Sequence, residues 1–153
     1  MIKRFLLFLI INFSALAAGG LFTKAGVQSD WYENFNKAPW SPPGYMFGVA
    51  WSVVMICFAV YMALIFTKTE QKTKIIILFL IQWILNIGWN PIFFYFHKTT
   101  IALATIVTLT MIIGLFLVTF SSHLKWKSLW ISPYLIWLII ATSLNAYIVF
   151  KNA

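Results

Sequence analysis

Hydrophobic positions fall into five long runs, at about 5–22, 44–66, 75–96, 101–120 and 129–150, separated by polar connections. Each run is close to the roughly 20 residues with which an α-helix crosses a bilayer core. The runs are much longer than barrel strands and do not alternate, so the pattern predicts helices and no β-structure. Thr67–Lys74 (TKTEQKTK), His97–Thr100 (HKTT) and Ser121–Ser128 (SSHLKWKS) predict tight turns between antiparallel helices. The chain reads as one all-α integral membrane domain over 1–153, a bundle of five transmembrane helices. The first run is ambiguous on its own residues. Lys3-Arg4, FLLFLIINF and then Ser14–Ala18 also fit a secretory signal, whereas Ala15, Ala18, Gly19 and Gly20 equally suit close helix packing in lipid.

The connection between the first and second runs differs from the others. Trp31–Trp51, WYENFNKAPWSPPGYMFGVAW, is rich in aromatic residues and prolines. Pro39, Pro42 and Pro43 each fix their own φ and disfavour helix at the preceding residue, which predicts a stiff loop with helix resuming at about Pro43. A rigid loop carrying flat amphipathic side chains, leading directly into an apolar helix, suggests a lid.

Composition confirms the solvent. Of 153 residues 62% are hydrophobic and 9% charged, with a mean hydropathy of +0.90, too few polar residues to make a water-facing surface. A single cysteine, Cys57, inside an apolar run excludes an intramolecular disulfide and a cysteine-based metal site. With five spans, Lys3, Arg4, Lys68, Lys72, Lys74, Lys125 and Lys127 share one side against Lys24, Lys37, Lys98 and Lys151 on the other, which puts the N-terminus in the cytoplasm and the first loop and C-terminus outside. The net charge of +8 is spread over both faces, and so points to lipid headgroups and not to nucleic acid. Asp30, Glu33 and Glu70 all lie in connections, which argues against an ion-coupled pump. His97 and His123, at span ends with no acidic neighbour in sequence, read as surface histidines and not as haem ligands.

Within the runs, Gln82, Asn86 and Asn90 at steps of four form an amide stripe along one helix face, with Trp89 and Pro91 beside it. Trp137, Ala141 and Asn145 repeat the spacing in the last run, and Trp51 lies near the start of the second. Two readings of these residues stand open: helix-to-helix hydrogen bonding with interfacial tryptophan belts, or the wall of a ligand site.

Together, Trp31-Tyr32, Lys37-Ala38-Pro39-Trp40-Ser41-Pro42-Pro43 with Phe47 and Trp51, Gln82-x-x-Leu85-Asn86-x-x-Trp89-x-Pro91-Ile92-Phe93-Phe94, and Pro133-Tyr134-Leu135-Ile136-Trp137 with Leu144-Asn145 resemble the motifs of the TspO/MBR family of tryptophan-rich sensory and translocator proteins. The resemblance extends from the first span to Phe150 and implies that the first run is kept as a helix. It implies a five-helix bundle, commonly a homodimer, that binds porphyrins such as protoporphyrin IX, and in many members sterols and isoquinoline or benzodiazepine ligands. The matching positions are Trp31, Tyr32, Trp40, Pro42 and Pro43 in the loop, Trp51 in the second helix, Gln82, Asn86, Trp89, Phe93 and Phe94 in the third, and Trp137, Ala141 and Leu144 in the fifth.

A tetrapyrrole is a broad, flat, apolar plate, so aromatic faces with a few orienting polar groups suit it, and Lys24 or Lys37 could meet its carboxylates at the wet end. Three functions follow from the resemblance: a sensor or regulator of tetrapyrrole handling, a light-dependent porphyrin-degrading activity using Trp51 and Trp137, or a passive translocator. The residues offer no conventional catalytic constellation and call for no resident cofactor or metal. One departure concerns sterols. The aromatic that follows Leu-Asn in the proposed cholesterol motif of mitochondrial members is Ala146 here, and Tyr147 comes one residue later. That shift turns the ring by about 100° around the helix, which weakens the case for sterol binding.

Overall fold

The computed structural model describes residues 1–153, and every regular element in it is helical. The order is α1 (Ile2–Val27), α2 (Asp30–Glu33), α3 (Gly44–Lys68), α4 (Lys72–Phe94), α5 (Thr99–Leu124), a 3-10 segment (Lys125–Ile131) and α6 (Ser132–Lys151). Four helical stretches are long and apolar enough to cross a membrane: Ile2–Val27, Gly44–Lys68, Lys72–Phe94 and Thr99–Lys151. The last runs for 53 residues and contains both α5 and α6. A positive φ of 53° at Lys125 interrupts it, and α6 packs back along α5. Their antiparallel register is marked by Thr110 Oγ1 against Thr142 Oγ1 at 3.4 Å and by Asn145 Nδ2 donating to the Thr99 carbonyl at 3.1 Å.

The elements end for local reasons. Ser29 Oγ accepts from the Tyr32 amide and so caps the short α2, a single helical turn where the proline pattern predicts loop. Pro43, at φ −56° and ψ 149°, caps α3, whose first helical residue is Gly44, one later than expected. The Lys72 ammonium donates to the Phe66 and Thr69 carbonyls and closes the C-terminus of α3, leaving a connection far shorter than Thr67–Lys74. His97, at φ 56°, reverses the chain after α4. The expected tight turn at Ser121–Ser128 is instead helical: α5 continues to Leu124 and passes into the 3-10 segment.

The five long helices form a ring in the order α1, α3, α6, α5, α4. Large apolar residues such as Ile10, Ile84, Met111, Val118, Ile139 and Phe150 point outward, while Asn12, Gln82, Asn86 and Asn145 are buried inside. That inversion suits lipid, where amides must find partners within the protein. Two glycines let α1 approach α4 closely. A Cβ on Gly19 would collide with the Asn90 amide, and one on Gly26 with the Phe94 side chain. Packing differs between the two ends of the bundle. The buried residues of α3 are confined to Val54–Ile65, where Phe58, Tyr61, Phe79 and Phe116 fill the centre, and Tyr61 Oη donates to the Phe116 carbonyl at 3.0 Å. The first two turns of α3 bury nothing, and the bundle there encloses space.

Candidate functional site

That space is a cavity of about 590 Å³, within the range of drug-sized ligand sites. α3 contributes Trp51, α4 contributes Asn86, Trp89, Phe93 and Phe94, α6 contributes Trp137, Ala141 and Leu144, and the first connection contributes Tyr32 and Pro42. Helical steps of three and four bring the α4 and α6 residues onto inward faces.

The wall is mostly aromatic, and the rings fix one another. Trp51 and Trp137 stand edge to face with centroids 6.3 Å apart and planes at 82°. Trp51 meets Tyr134 at 6.1 Å and Phe47 meets Trp137 at 5.6 Å, both edge-on. Trp89 stacks on Phe93 at 5.1 Å. Such contacts contribute about 0.5–1.5 kcal/mol each beyond buried area and hold the rings in place. The Trp137 Nε1–H is buried without a partner, a donor that an acceptor on a ligand could satisfy.

The amides are tied into two chains. Asn86 Nδ2 donates to Tyr134 Oη at 2.7 Å, and Tyr134 Oη donates to Gln82 Oε1 at 2.9 Å. Asn90 Nδ2 donates to the Asn86 carbonyl at 3.1 Å, and Thr23 Oγ1 donates to Asn90 Oδ1 at 2.7 Å, linking α1 to α4. On the other side Trp89 Nε1 donates to Asn145 Oδ1 at 3.0 Å. The amides of the stripes therefore have two positions at once. Asn86 and Asn145 join helices and also line the cavity, while Gln82 lies a turn deeper on α4, bonded to Tyr134 and off the wall.

Trp31, Trp40 and Pro43 are likewise off the wall, and the two tryptophans fasten the loop. Trp31 stacks on His97 at 3.9 Å and 17° and meets Phe93 edge-on at 5.7 Å. Trp40 Nε1 donates to Ser143 Oγ at 3.1 Å, and its ring meets Tyr147 at 5.4 Å. Tyr147, the displaced aromatic of the sterol pattern, thus packs against the loop and not on the cavity wall. A third fastening joins Asn36 to Asn152: the Asn36 amide donates to Asn152 Oδ1 at 2.9 Å, and Asn152 Nδ2 donates back at 3.3 Å. Pro43 serves as the α3 cap.

Further residues line the cavity. Thr23, Asn90, Ser52, Gly20, Gly44 and Gly48 all face the cavity. The signal for Asn90 is its place in the amide stripe; Gly20 reads in the sequence only as a packing residue, and Thr23, Ser52, Gly44 and Gly48 give no signal there. Lys24 and Lys37 also line the cavity, and no acidic residue does. Lys37 Nζ lies 4.4 Å from the centroid of the Tyr32 ring, whose phenol is pushed up from its ordinary range by burial and so stays neutral beneath the ammonium.

The family model described as the TspO/MBR family matches residues 6–151. The chain is 32% identical over 138 residues to the tryptophan-rich protein TspO of Chlorobaculum tepidum, covering 88% of this chain and 87% of the relative. It is 28% identical over 138 residues to the tryptophan-rich sensory protein of Cereibacter sphaeroides, covering 90% and 87%. It is 26% identical over 126 residues to the human translocator protein, covering 80% and 74%. With the family pattern matched from the first helix to the last, and with this fold, the chain is an integral multi-pass membrane protein that belongs to the TspO/MBR family.

Proposed function

We propose that this protein is a membrane sensor that binds a flat, largely apolar ligand of the porphyrin class in the cavity beneath Trp31–Pro43 and thereby regulates tetrapyrrole handling. The observation that carries the reading is the cavity wall itself. Trp51, Trp137, Trp89 and Phe93 present aromatic surface around about 590 Å³, Asn86 and the unpaired Trp137 N–H supply polar contacts, and Lys24 and Lys37 add positive charge suited to carboxylates. Relatives named as sensory and translocator proteins agree with this reading.

In this account the 53-residue stretch Thr99–Lys151 makes two passes. At 1.5 Å per residue it would extend about 80 Å if straight, more than twice a hydrocarbon core, and α6 folds back along α5. The bundle then has five spans, with the N-terminus cytoplasmic and the loop outside. The adjacency of Trp51 and Trp137 favours a second reading, a light-dependent degradation in which dioxygen is the oxidant of the photoexcited porphyrin and the two electron-rich indoles trap the radical it generates.

Titrating purified protein with protoporphyrin IX in the dark tests the first reading through tryptophan quenching. It predicts saturable quenching with a dissociation constant of about 1 μM or tighter, near −8 kcal/mol. Linear, unsaturable quenching would sink it. Following porphyrin absorbance under light separates binder from degrader.

A further inference from the structure

We propose that ligands reach the cavity sideways from the bilayer, through a glycine-walled slot between α1 and α3, while the loop above remains fastened. The wall is closed on one side and open on the other. On α4, α5 and α6 every lining residue is buried or half-buried, as for Asn86, Phe93, Ile106 and Leu144. The exposed lining residues of the helices are Gly20, Lys24 and Val27 on α1 and Gly44 and Gly48 on α3. Each set advances by about one turn per step, so each forms one edge of a common opening. Lys37 and Ser41, on the loop's rim, are exposed at its outer end.

The glycines are of two kinds. At Gly19 and Gly26 a Cβ would strike α4, so those positions are glycine for packing. At Gly20, Gly44 and Gly48 a Cβ would meet nothing within 4 Å. Close packing gives no reason for glycine there, and the consequence of glycine is width. Gly20 lies about 6 Å along α1 from Lys24, and Gly48 about 6 Å along α3 from Gly44, at 1.5 Å per residue. The opening therefore descends from the level of the lysine ammonium groups, which prefer the headgroup region, into the hydrocarbon.

Above the cavity, the Trp31–His97 stack, the Trp40 contacts with Ser143 and Tyr147, and the Asn36–Asn152 pair hold the loop. A large apolar plate dissolves in the bilayer because burying its surface there is favoured by roughly 25 cal/mol per Å². A side opening lets it move from lipid to indole without crossing water or undoing those contacts.

The test is independent of the physiological ligand. Ala141, on the far wall, is replaced by cysteine in full-length protein carrying Cys57→Ala, reconstituted in phosphatidylcholine vesicles. The probe is N-(1-pyrenyl)maleimide, a flat apolar thiol reagent delivered in the lipid. Gly20→Leu and Gly48→Leu, singly and together, should slow labelling of A141C, the pair by roughly tenfold, the effect of a barrier about 1.4 kcal/mol higher. The leucines stand on opposite edges, where added atoms meet open space, so each checks the other, and thermal melting confirms the fold. Loosening the loop with Trp40→Ala and Asn152→Ala should leave the labelling rate unchanged. Labelling indifferent to both leucines but accelerated by the loosened loop would overturn the proposal and place the passage under the loop.

Discussion

Tyr134→Phe removes one oxygen atom from the centre of the bundle and isolates the contribution of the buried amide chain. Tyr134 is fully buried, and its hydroxyl both accepts from Asn86 and donates to Gln82, which are themselves 7% and 3% exposed. Phenylalanine fills nearly the same volume, so the cavity term is small. Hydrogen bonds measured inside membrane proteins average about 0.6 kcal/mol with a maximum near 1.7, and leaving a buried partner unsatisfied adds to the loss. Two bonds lost together therefore predict a destabilisation of about 1.5–3 kcal/mol. Tyr61→Phe is the control. Tyr61 is equally buried but makes a single bond, to the Phe116 carbonyl, in the tightly packed half of the bundle. It should cost about 1 kcal/mol or less and leave ligand affinity unchanged. Tyr134→Phe should also weaken porphyrin binding by a few-fold, because Asn86 is then free to turn from the cavity. The assay is reversible unfolding in mixed micelles with increasing dodecyl sulfate, alongside a quenching titration. Equal destabilisation in the two variants, with equal affinities, would refute the view that the chain Asn86–Tyr134–Gln82 both braces the helices and sets the site.

Further predictions follow from the same contacts. Trp51→Phe and Trp137→Phe should each weaken porphyrin binding by about fivefold, near 1 kcal/mol, without loss of helix content, since each keeps a ring but gives up area and an indole N–H; fluorescence titration checks both. Gly26→Ala should destabilise by about 1–3 kcal/mol because its Cβ meets Phe94, whereas Gly20→Ala should stabilise by roughly 0.5–1 kcal/mol; the same unfolding assay compares them. A reporter that works only in the cytoplasm, fused after Ala153, should be silent, and activity there would reverse the charge-based orientation.

What was legible in the sequence depended on period. Apolar runs of about 20 residues announce spans regardless of tertiary context, and steps of three and four place Asn86, Trp89 and Phe93 or Trp137, Ala141 and Leu144 toward one interior. Those residues indeed share the cavity. Gln82 obeys the same step but sits a turn further from the loop, where the bundle closes and Tyr134 occupies the interior. Trp31 and Trp40 are expected at the ligand because they match the family's loop motif. Their actual partners, His97 and Ser143, come from α4's end and from α6, and no local pattern encodes contacts at such separations. The 3-10 passage after Leu124 depends on a positive φ at Lys125, a conformation that lysine does not advertise. The openness at Gly20, Gly44 and Gly48 leaves no mark in the sequence because it lies in the space beside them.

The central claim, that a ligand sits in the cavity beneath the aromatic loop, is tested most directly by hydrogen exchange at the loop amides with and without protoporphyrin IX. These amides can exchange because they lie outside the spans: those of Tyr32–Phe35 bond only within and beside the single turn of α2, and the Asn36 amide bonds to the Asn152 side chain. The account predicts that exchange over Tyr32–Trp40 slows on saturation while exchange at Thr69–Gln71, at the opposite end of the bundle, does not change. Equal exchange at both ends with and without porphyrin, under conditions where binding is saturated, would contradict it.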